Sequence, residues 1–390
     1  MQPRLPSNER ILLGPGPSMI APRVMRAMAT PVLSHLDPDL VALLDDVRAR
    51  LTRLFNAPDG SLTIAISGTG TSGMEAAVAN LVADGTGVLV VVGGYFGERL
   101  AEICRRYGAD VRRLDVEWGH AVDPQAVRDA LGTGAKVDVV ACVHAETSTG
   151  VLNPIEEIAA IAHEHGALML VDAVTSLGGH PLDVAGWGLD VVYSCTQKCV
   201  GAPSGMAPIA WTPAANARKV GCRSFSLDLA VLEDYWVRRK YHHTLSSTMI
   251  YALWEALLSI EEEGLGKRWA RHQRNHQALV RGLSAIGLDL LPPGPERLWT
   301  LNAVRVPAGV DEPAVRQRLL REFNIEIGAG LGPLAGKIWR VGLMGASSTR
   351  PLLLLFLGAL EHILHGMGHK SAGGAAAAAM DALADVVVTS

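Results

Sequence analysis

Six short runs of apolar, largely β-branched residues punctuate the first part of the 390-residue chain: 63–66, 88–92, 137–143, 167–171, 191–194 and 207–211. Alternation of apolar and polar positions marks a strand with one wet face. Runs without alternation are covered on both faces, as in parallel sheets flanked by helices. Between these runs the apolar period lengthens to that of a helix. In 72–82, Met74, Ala77, Val78 and Leu81 share one face, and 96–107 and 155–165 read the same way. Strand and helix alternating over roughly 60–215 predict an α/β unit with a mostly parallel sheet.

Beyond about residue 245 the pattern changes. A helical region covers 248–286 with an interruption near 264–266, and Pro292-Pro293-Gly294-Pro295 makes a turn. A strand at 301–306, a helix at 312–322, strands at 325–327 and 338–341 and a helix at 350–366 complete an α+β unit. The expected organisation is an N-terminal arm (1–20), a large domain (21–260), a smaller α+β C-terminal domain (261–370) and an Ala-rich tail (371–390). The tail is expected to be helical over 372–379, but its pattern does not say whether it packs. The chain shows no internal repeat.

Composition narrows the class. Apolar residues make up 49% and charged residues 19%, which describes a compact globular chain. A net charge of −4 gives no electrostatic case for nucleic acid or an anionic membrane. Arg238, Arg239 and Lys240 form only a local basic cluster, read as a solvated face or subunit contact. Five cysteines are odd in number and sparse, which suits a reducing, cytoplasmic setting better than a disulfide framework. Cys195 and Cys199 are four apart but have no further zinc ligands nearby. The first residues, Met1 to Pro6, lack the apolar stretch of a signal peptide. The most lipid-like segment, 352–357, is too short to span a bilayer, so a soluble protein is expected.

Three places carry chemistry. Ser67-Gly68-Thr69-Gly70-Thr71-Ser72-Gly73 lies between an expected strand and helix. Its glycines let backbone approach an anion, the helix start supplies free N–H groups, and Thr69 and Thr71 add hydroxyls. Glycine-rich turns of this kind are common, and this one has neither the Walker nor the dinucleotide spacing. Asp172 ends the strand at 167–171, where an acid points into the ligand crevice of a parallel sheet or simply caps a helix. Lys198 follows the next strand, in Tyr193-Ser194-Cys195-Thr196-Gln197-Lys198. A strand-end lysine is often just solvated. Together, however, an anion loop, an acid and a lysine meet the needs of pyridoxal phosphate (PLP): a phosphate anchor, a partner for the ring nitrogen and an amine for the aldehyde.

The chain resembles the class V aminotransferases, in the alanine–glyoxylate/serine–pyruvate (serine–glyoxylate) branch of PLP fold type I. The matching stretches are 13–18, 67–77, 144–150, 171–179, 194–198, 241–244, 325–332 and 339–345, in family order across about residues 10–370. The resemblance implies a large domain with a mostly parallel sheet and a smaller α+β domain. It implies Lys198 as the Schiff-base lysine and Asp172 at the pyridine nitrogen. Thr69, Gly70, Thr71 and Gln197 resemble the phosphate cup, and Thr147 the hydroxyl near the phenolic oxygen. Val174 would lie on one face of the ring and Phe96 on the other. Tyr241 and Thr244 resemble residues reaching the phosphate of a partner subunit in a homodimer with shared sites, and Arg340 the residue gripping the substrate carboxylate. Some relatives carry His where Thr71 stands and Trp where Phe96 stands, which bears on cofactor affinity and not identity.

The implied reaction is transfer of an amino group from alanine or serine to glyoxylate or pyruvate. Sister activities on the same frame are ureidoglycine–glyoxylate and pyridoxamine–pyruvate transamination. Cysteine desulfuration would need a nucleophilic cysteine from the C-terminal part, and none follows Cys222. A non-enzymatic PLP-binding protein is disfavoured by the joint presence of Lys198, Asp172 and Arg340. The pairs His163/His165, His272/His276 and His362/His365 lack a third ligand and are expected at the surface or in caps, not on a metal. His242 and His243 are expected to act structurally at a subunit contact; Trp118 and Trp187 carry no assigned chemistry.

Overall fold

A computed structural model describes residues 9–385. The start of the N-terminal arm, including the segment read for a signal peptide, and the last five residues of the tail lie outside the described residues.

Seven strands form the central sheet: β1 (Leu62–Gly68), β2 (Gly87–Val92), β3 (Asp110–Asp115), β4 (Val139–Val143), β5 (Leu168–Asp172), β6 (Val191–Tyr193) and β7 (Gly205–Trp211). Their spatial order is β3-β2-β4-β5-β6-β7-β1. All neighbouring pairs are parallel except those of β7, which runs antiparallel to both β6 and β1. The fully buried strands β2, β4, β5 and β6 are those whose sequences do not alternate. The sequence reading omits β3. It is an edge strand in which Asp110, Arg112, Arg113 and Asp115 leave only Val111 and Leu114 apolar, and edge strands keep charges that discourage further pairing.

Helices Gly70–Leu81, Tyr95–Arg106 and Ile155–Glu164 cover the sheet at the expected places. Helices Pro22–Met28 and Pro38–Phe55, which the strand-and-helix alternation does not announce, pack against the long helix Ser247–Glu263. Gly264, at φ +81°, separates that helix from Leu265–Ala285, so the expected interruption is a sharp turn between two helices.

A second apolar cluster gathers Leu13 with residues between 278 and 383, around the three-stranded sheet of Leu301–Arg305, Ile338–Gly342 and Gly328–Ala329. The chain enters this cluster at its start: Ile11–Leu12 pairs in parallel with Ile325–Glu326. The tail packs. Helix Ala375–Asp385 buries Ala375, Ala379 and Leu383 against Leu265–Ala285 and Arg350–Gly366. Gly282 permits the approach, since a Cβ there would lie 2.8 Å from the Ala375 carbonyl oxygen.

Candidate active site

Asp172 stands at the carboxyl end of β5, and its register partner on β6 is Tyr193. Five residues later Lys198 sits inside one π-type turn, Thr196–Val200, that breaks helical geometry at the lysine itself. Neighbouring parallel strands thus deliver the acid and the amine to one edge of the sheet, where such folds bind ligands. Both are nearly inaccessible, at 2% and 7% exposure.

The lysine does not extend into solvent. Its Nζ donates to the Pro15 carbonyl and lies 3.4 Å from Thr147 Oγ1 and 3.5 Å from Thr175 Oγ1. Residues 15–18 run alongside it: Ser18 Oγ donates to the Lys198 carbonyl at 2.8 Å. Gly16, at φ +111°, leaves room for the lysine stem, which a Cβ would approach to 2.8 Å. Burial lowers the Lys198 pKa, and the nearby Arg340 guanidinium lowers it further.

Asp172 accepts from the Val174 N–H at 2.8 Å through Oδ1 and from the Tyr193 hydroxyl at 2.8 Å through Oδ2. Burial pushes its carboxyl up to about 6 despite these donors. A buried acid in that state favours a cation beside it.

The anion loop follows β1 and opens helix Gly70–Leu81, with Thr69 as the N-cap. The Gly73 N–H bonds the Thr69 carbonyl at 3.1 Å, the Thr69 N–H bonds Ser72 Oγ at 3.2 Å and the Ser72 N–H bonds the Thr69 side chain, so Gly70 and Thr71 carry the N–H groups that a helix start leaves open. A Cβ at Gly70 would come within 2.9 Å of Val174, so glycine there brings the loop against the residue expected under the ring. Thr71 is exposed and accepts from Arg99 at 2.9 Å. Arg99 in turn lies 5.0 Å from the Phe96 ring centroid, a cation–π distance. The Gln197 side-chain oxygen is buried without a partner among the described residues.

Arg340 comes from the other sheet, on Ile338–Gly342, and is buried. Its Nε donates to the Ala329 carbonyl at 2.6 Å and Nη1 to the Thr147 carbonyl at 3.3 Å. Three of its five N–H groups remain for a ligand. Burial lowers its pKa to about 10, and the buried Glu146 carboxylate opposes that shift.

Tyr241 is 61% exposed and Thr244 is exposed as well. Among the described residues neither side chain hydrogen-bonds to the anion loop, Asp172 or Lys198. These two therefore stand apart from the cluster that the other expected residues form within one chain.

Four residues without an assigned role at the sequence level join the site. Thr175 was legible only as a member of a matching stretch and Tyr193 only as the start of the segment leading to Lys198, because their partners are distant in sequence. Pro15 contributes a carbonyl, which no side-chain pattern marks. Glu146 accepts from the Phe96 and Gly97 N–H groups at 3.2 and 3.3 Å and from Ser148, fixing the start of helix Tyr95–Arg106 beside the site.

Other candidates resolve differently. His272 and His276, expected at the surface or in caps, are buried, because each ring finds an internal partner in the Arg268 carbonyl and Asn302 respectively. His163 bonds Asp190 at 2.9 Å, and His243 bonds Ser67 at 2.8 Å. No group of three or more metal-ligating side chains occurs among the described residues. No helix among them is long and apolar enough to cross a membrane. A separate cleft of about 800 Å³ lies between residues 19–24 and helices Ser247–Glu263 and Leu265–Ala285. It contains none of the residues expected at the cofactor or substrate, and Arg268 and Arg271 in its wall share the single carboxylate of Glu263. The strand edge, where buried titratable groups converge, is the stronger candidate.

Comparison with known proteins identifies the family and the fold. Residues 11–341 match the aminotransferase class-V family. The (S)-ureidoglycine–glyoxylate transaminase of Bacillus subtilis is 38% identical over 95% of this chain and 95% of its own. The crystal structure of alanine–glyoxylate aminotransferase from Nostoc sp. superimposes with a TM-score of 0.90 at 44% identity, covering 93% of this chain and 97% of that one. Pyridoxamine–pyruvate aminotransferase from Mesorhizobium loti gives 0.93 at 30% identity, covering 98% and 100%.

Proposed function

The chain belongs to the aminotransferase class-V family, whose members are PLP-dependent transferases of fold type I, and from that premise we propose that it moves an amino group from alanine or serine to glyoxylate or pyruvate. One observation carries the reading: Lys198, Asp172 and Arg340 are all buried, Lys198 and Arg340 meet at Thr147, and Asp172 lies near enough to Lys198 for each to feel the other's charge.

The residues fit the cofactor. Asp172, raised to about 6 by burial, has reason to pair with a protonated ring nitrogen; the Gln197 oxygen is unpartnered among the described residues, and the Gly70 and Thr71 N–H groups lie in the first turn of the helix, where an anion is favoured. When bound, PLP supplies an aldehyde for the amine and a conjugated ring that accepts electrons from the substrate α-carbon. Lys198 holds the cofactor and then acts as the base at the substrate α-carbon, its amine kept available by the burial that lowers its pKa. Asp172 keeps the ring nitrogen protonated. Val174 and Phe96 would pack against the ring. Arg340 binds the α-carboxylate with the N–H groups it has left.

The division into a large domain up to about residue 260 and a smaller one beyond it belongs to the same proposal, as does a homodimer in which the exposed Tyr241 and Thr244 complete the phosphate site of the partner. Desulfuration is not supported. Cys195 and Cys199 flank the lysine, but burial pushes their thiols up to about 12 and about 11, far from the thiolate that attack requires.

Ureidoglycine and pyridoxamine are the rival donors, named by relatives of comparable similarity. A half-reaction screen separates them: PLP-loaded protein is mixed with alanine, serine, ureidoglycine or pyridoxamine while the visible absorption of the cofactor is followed. Fastest bleaching by alanine or serine is expected. Bleaching by ureidoglycine or pyridoxamine alone would replace the donor, and no bleaching by any amine would overturn the activity.

A further inference from the structure

Lys198 Nζ has three acceptors around it: the Pro15 carbonyl, Thr147 Oγ1 and Thr175 Oγ1. The two threonine hydroxyls also bond each other. Thr175 is fully buried, and its carbonyl accepts from Thr300 Oγ1 at 2.8 Å, so its backbone is pinned from the C-terminal part of the chain.

An ammonium has three N–H donors and no lone pair, and these three acceptors match it. A neutral amine keeps two N–H groups and gains a lone pair, which in a buried site needs a donor. The Pro15 carbonyl cannot donate. Thr147, in the reading above, is committed to the phenolic oxygen of the cofactor. The Thr175 hydroxyl is the group left that can turn from acceptor to donor, rotating about its own C–O bond to exchange its hydrogen bond to Thr147 for one to Nζ.

We propose that Thr175 is a positioning residue for Lys198, accepting from the ammonium and donating to the free amine so that Nζ stays in one place through both protonation states. Thr175 itself does not ionise, and the proton taken from the substrate stays on Nζ. The inference rests on the proposed role of Lys198. The charged and titratable groups facing Nζ are Arg340, Asp172, Cys195 and Cys199, none of which the test alters.

The test uses the full chain stripped of cofactor, with circular dichroism confirming the fold. The rate at which an acylating reagent labels Lys198 is followed against pH by peptide mass spectrometry in wild type, Thr175→Val and Thr175→Ser. Valine keeps the shape and removes the bond in both protonation states, but the bond from the charged ammonium is the stronger by about 1 kcal/mol, so the labelling midpoint should fall by somewhat under one pH unit, while serine should restore it. In the holoenzyme, Thr175→Val should lower kcat about tenfold with KM for the amino donor nearly unchanged. If valine does not fold, Thr175→Ala is measured in its place. An unchanged midpoint in a folded variant lacking the hydroxyl would overturn the proposal. So would serine behaving like valine, because the methyl group and not the hydroxyl would then matter. The labelling needs no cofactor, so its outcome is independent of whether PLP attaches at Lys198; borohydride trapping of PLP on another lysine would instead remove the reading beneath it.

Discussion

The Tyr193 hydroxyl donates a 2.8 Å hydrogen bond to Oδ2 of Asp172, across the last register pair of two parallel strands. Together with the Val174 N–H on Oδ1 it leaves the buried carboxylate oriented by donors on both oxygens. Asp172→Asn should retain PLP but slow α-proton removal by about 10- to 1000-fold, the equivalent of 1–3 pKa units of lost charge pairing. Single-turnover bleaching with the best donor measures it, and a rate near that of wild type would contradict the assigned role.

The same residue has a pH consequence in cofactor-free protein. Burial raises the Asp172 value to about 6 from 3.8, so its proton binding favours the folded state below 3.8, and that contribution is lost as pH rises through 6. Asparagine has no charge to bury. Asp172→Asn should therefore gain about 2–3 kcal/mol over wild type between pH 4 and pH 7. Urea melts of the two proteins at both pH values would reveal it, and a gap independent of pH would show that the carboxyl is solvated.

Lys198 should be the point of attachment. Borohydride reduction of the yellow holoenzyme is expected to leave a PLP adduct on the peptide containing residues 194–200, while Lys198→Ala binds the cofactor only reversibly. An adduct on any other lysine would dismiss the whole site.

Tyr241 and Thr244 supply a test of sharing between subunits. Mixing Lys198→Ala with a Tyr241→Phe/Thr244→Val variant should produce hybrids in which one site carries both lesions and the other neither, and activity should partly return. If subunits exchange and activity does not recover, these exposed residues serve their own chain.

Arg340→Lys should weaken donor binding far more than PLP binding, because an ammonium cannot reproduce the planar two-point grip of a guanidinium on a carboxylate. No second arginine is placed for a distal carboxylate, so aspartate and glutamate should be poor donors, an unpaired buried charge being costly. Comparing kcat/KM for alanine, serine, aspartate and glutamate checks both statements. Preference for a dicarboxylic donor would end the small-substrate reading and leave the PLP assignment standing.

The buried strands of the sheet announce themselves in sequence because a strand covered on both faces must be apolar along its length, as β2, β4 and β6 are and as β5 is up to Asp172. Asp172 and Lys198 were legible for the complementary reason: a charged group at the end of such a run, or a few residues past it, falls at the carboxyl end of the sheet. The edge strand β3 and the helices before residue 60 lacked that contrast and were not. What sequence could not contain is proximity between distant segments. That Thr175 meets Thr147 and Lys198 and that Tyr193 donates to Asp172 follow from the pairing of β4, β5 and β6, while Pro15 turning its carbonyl to the amine and Arg340 reaching the Thr147 carbonyl follow from how the second apolar cluster closes on the first. Local pattern reports which face a residue buries; only the packed chain decides what waits on the other side.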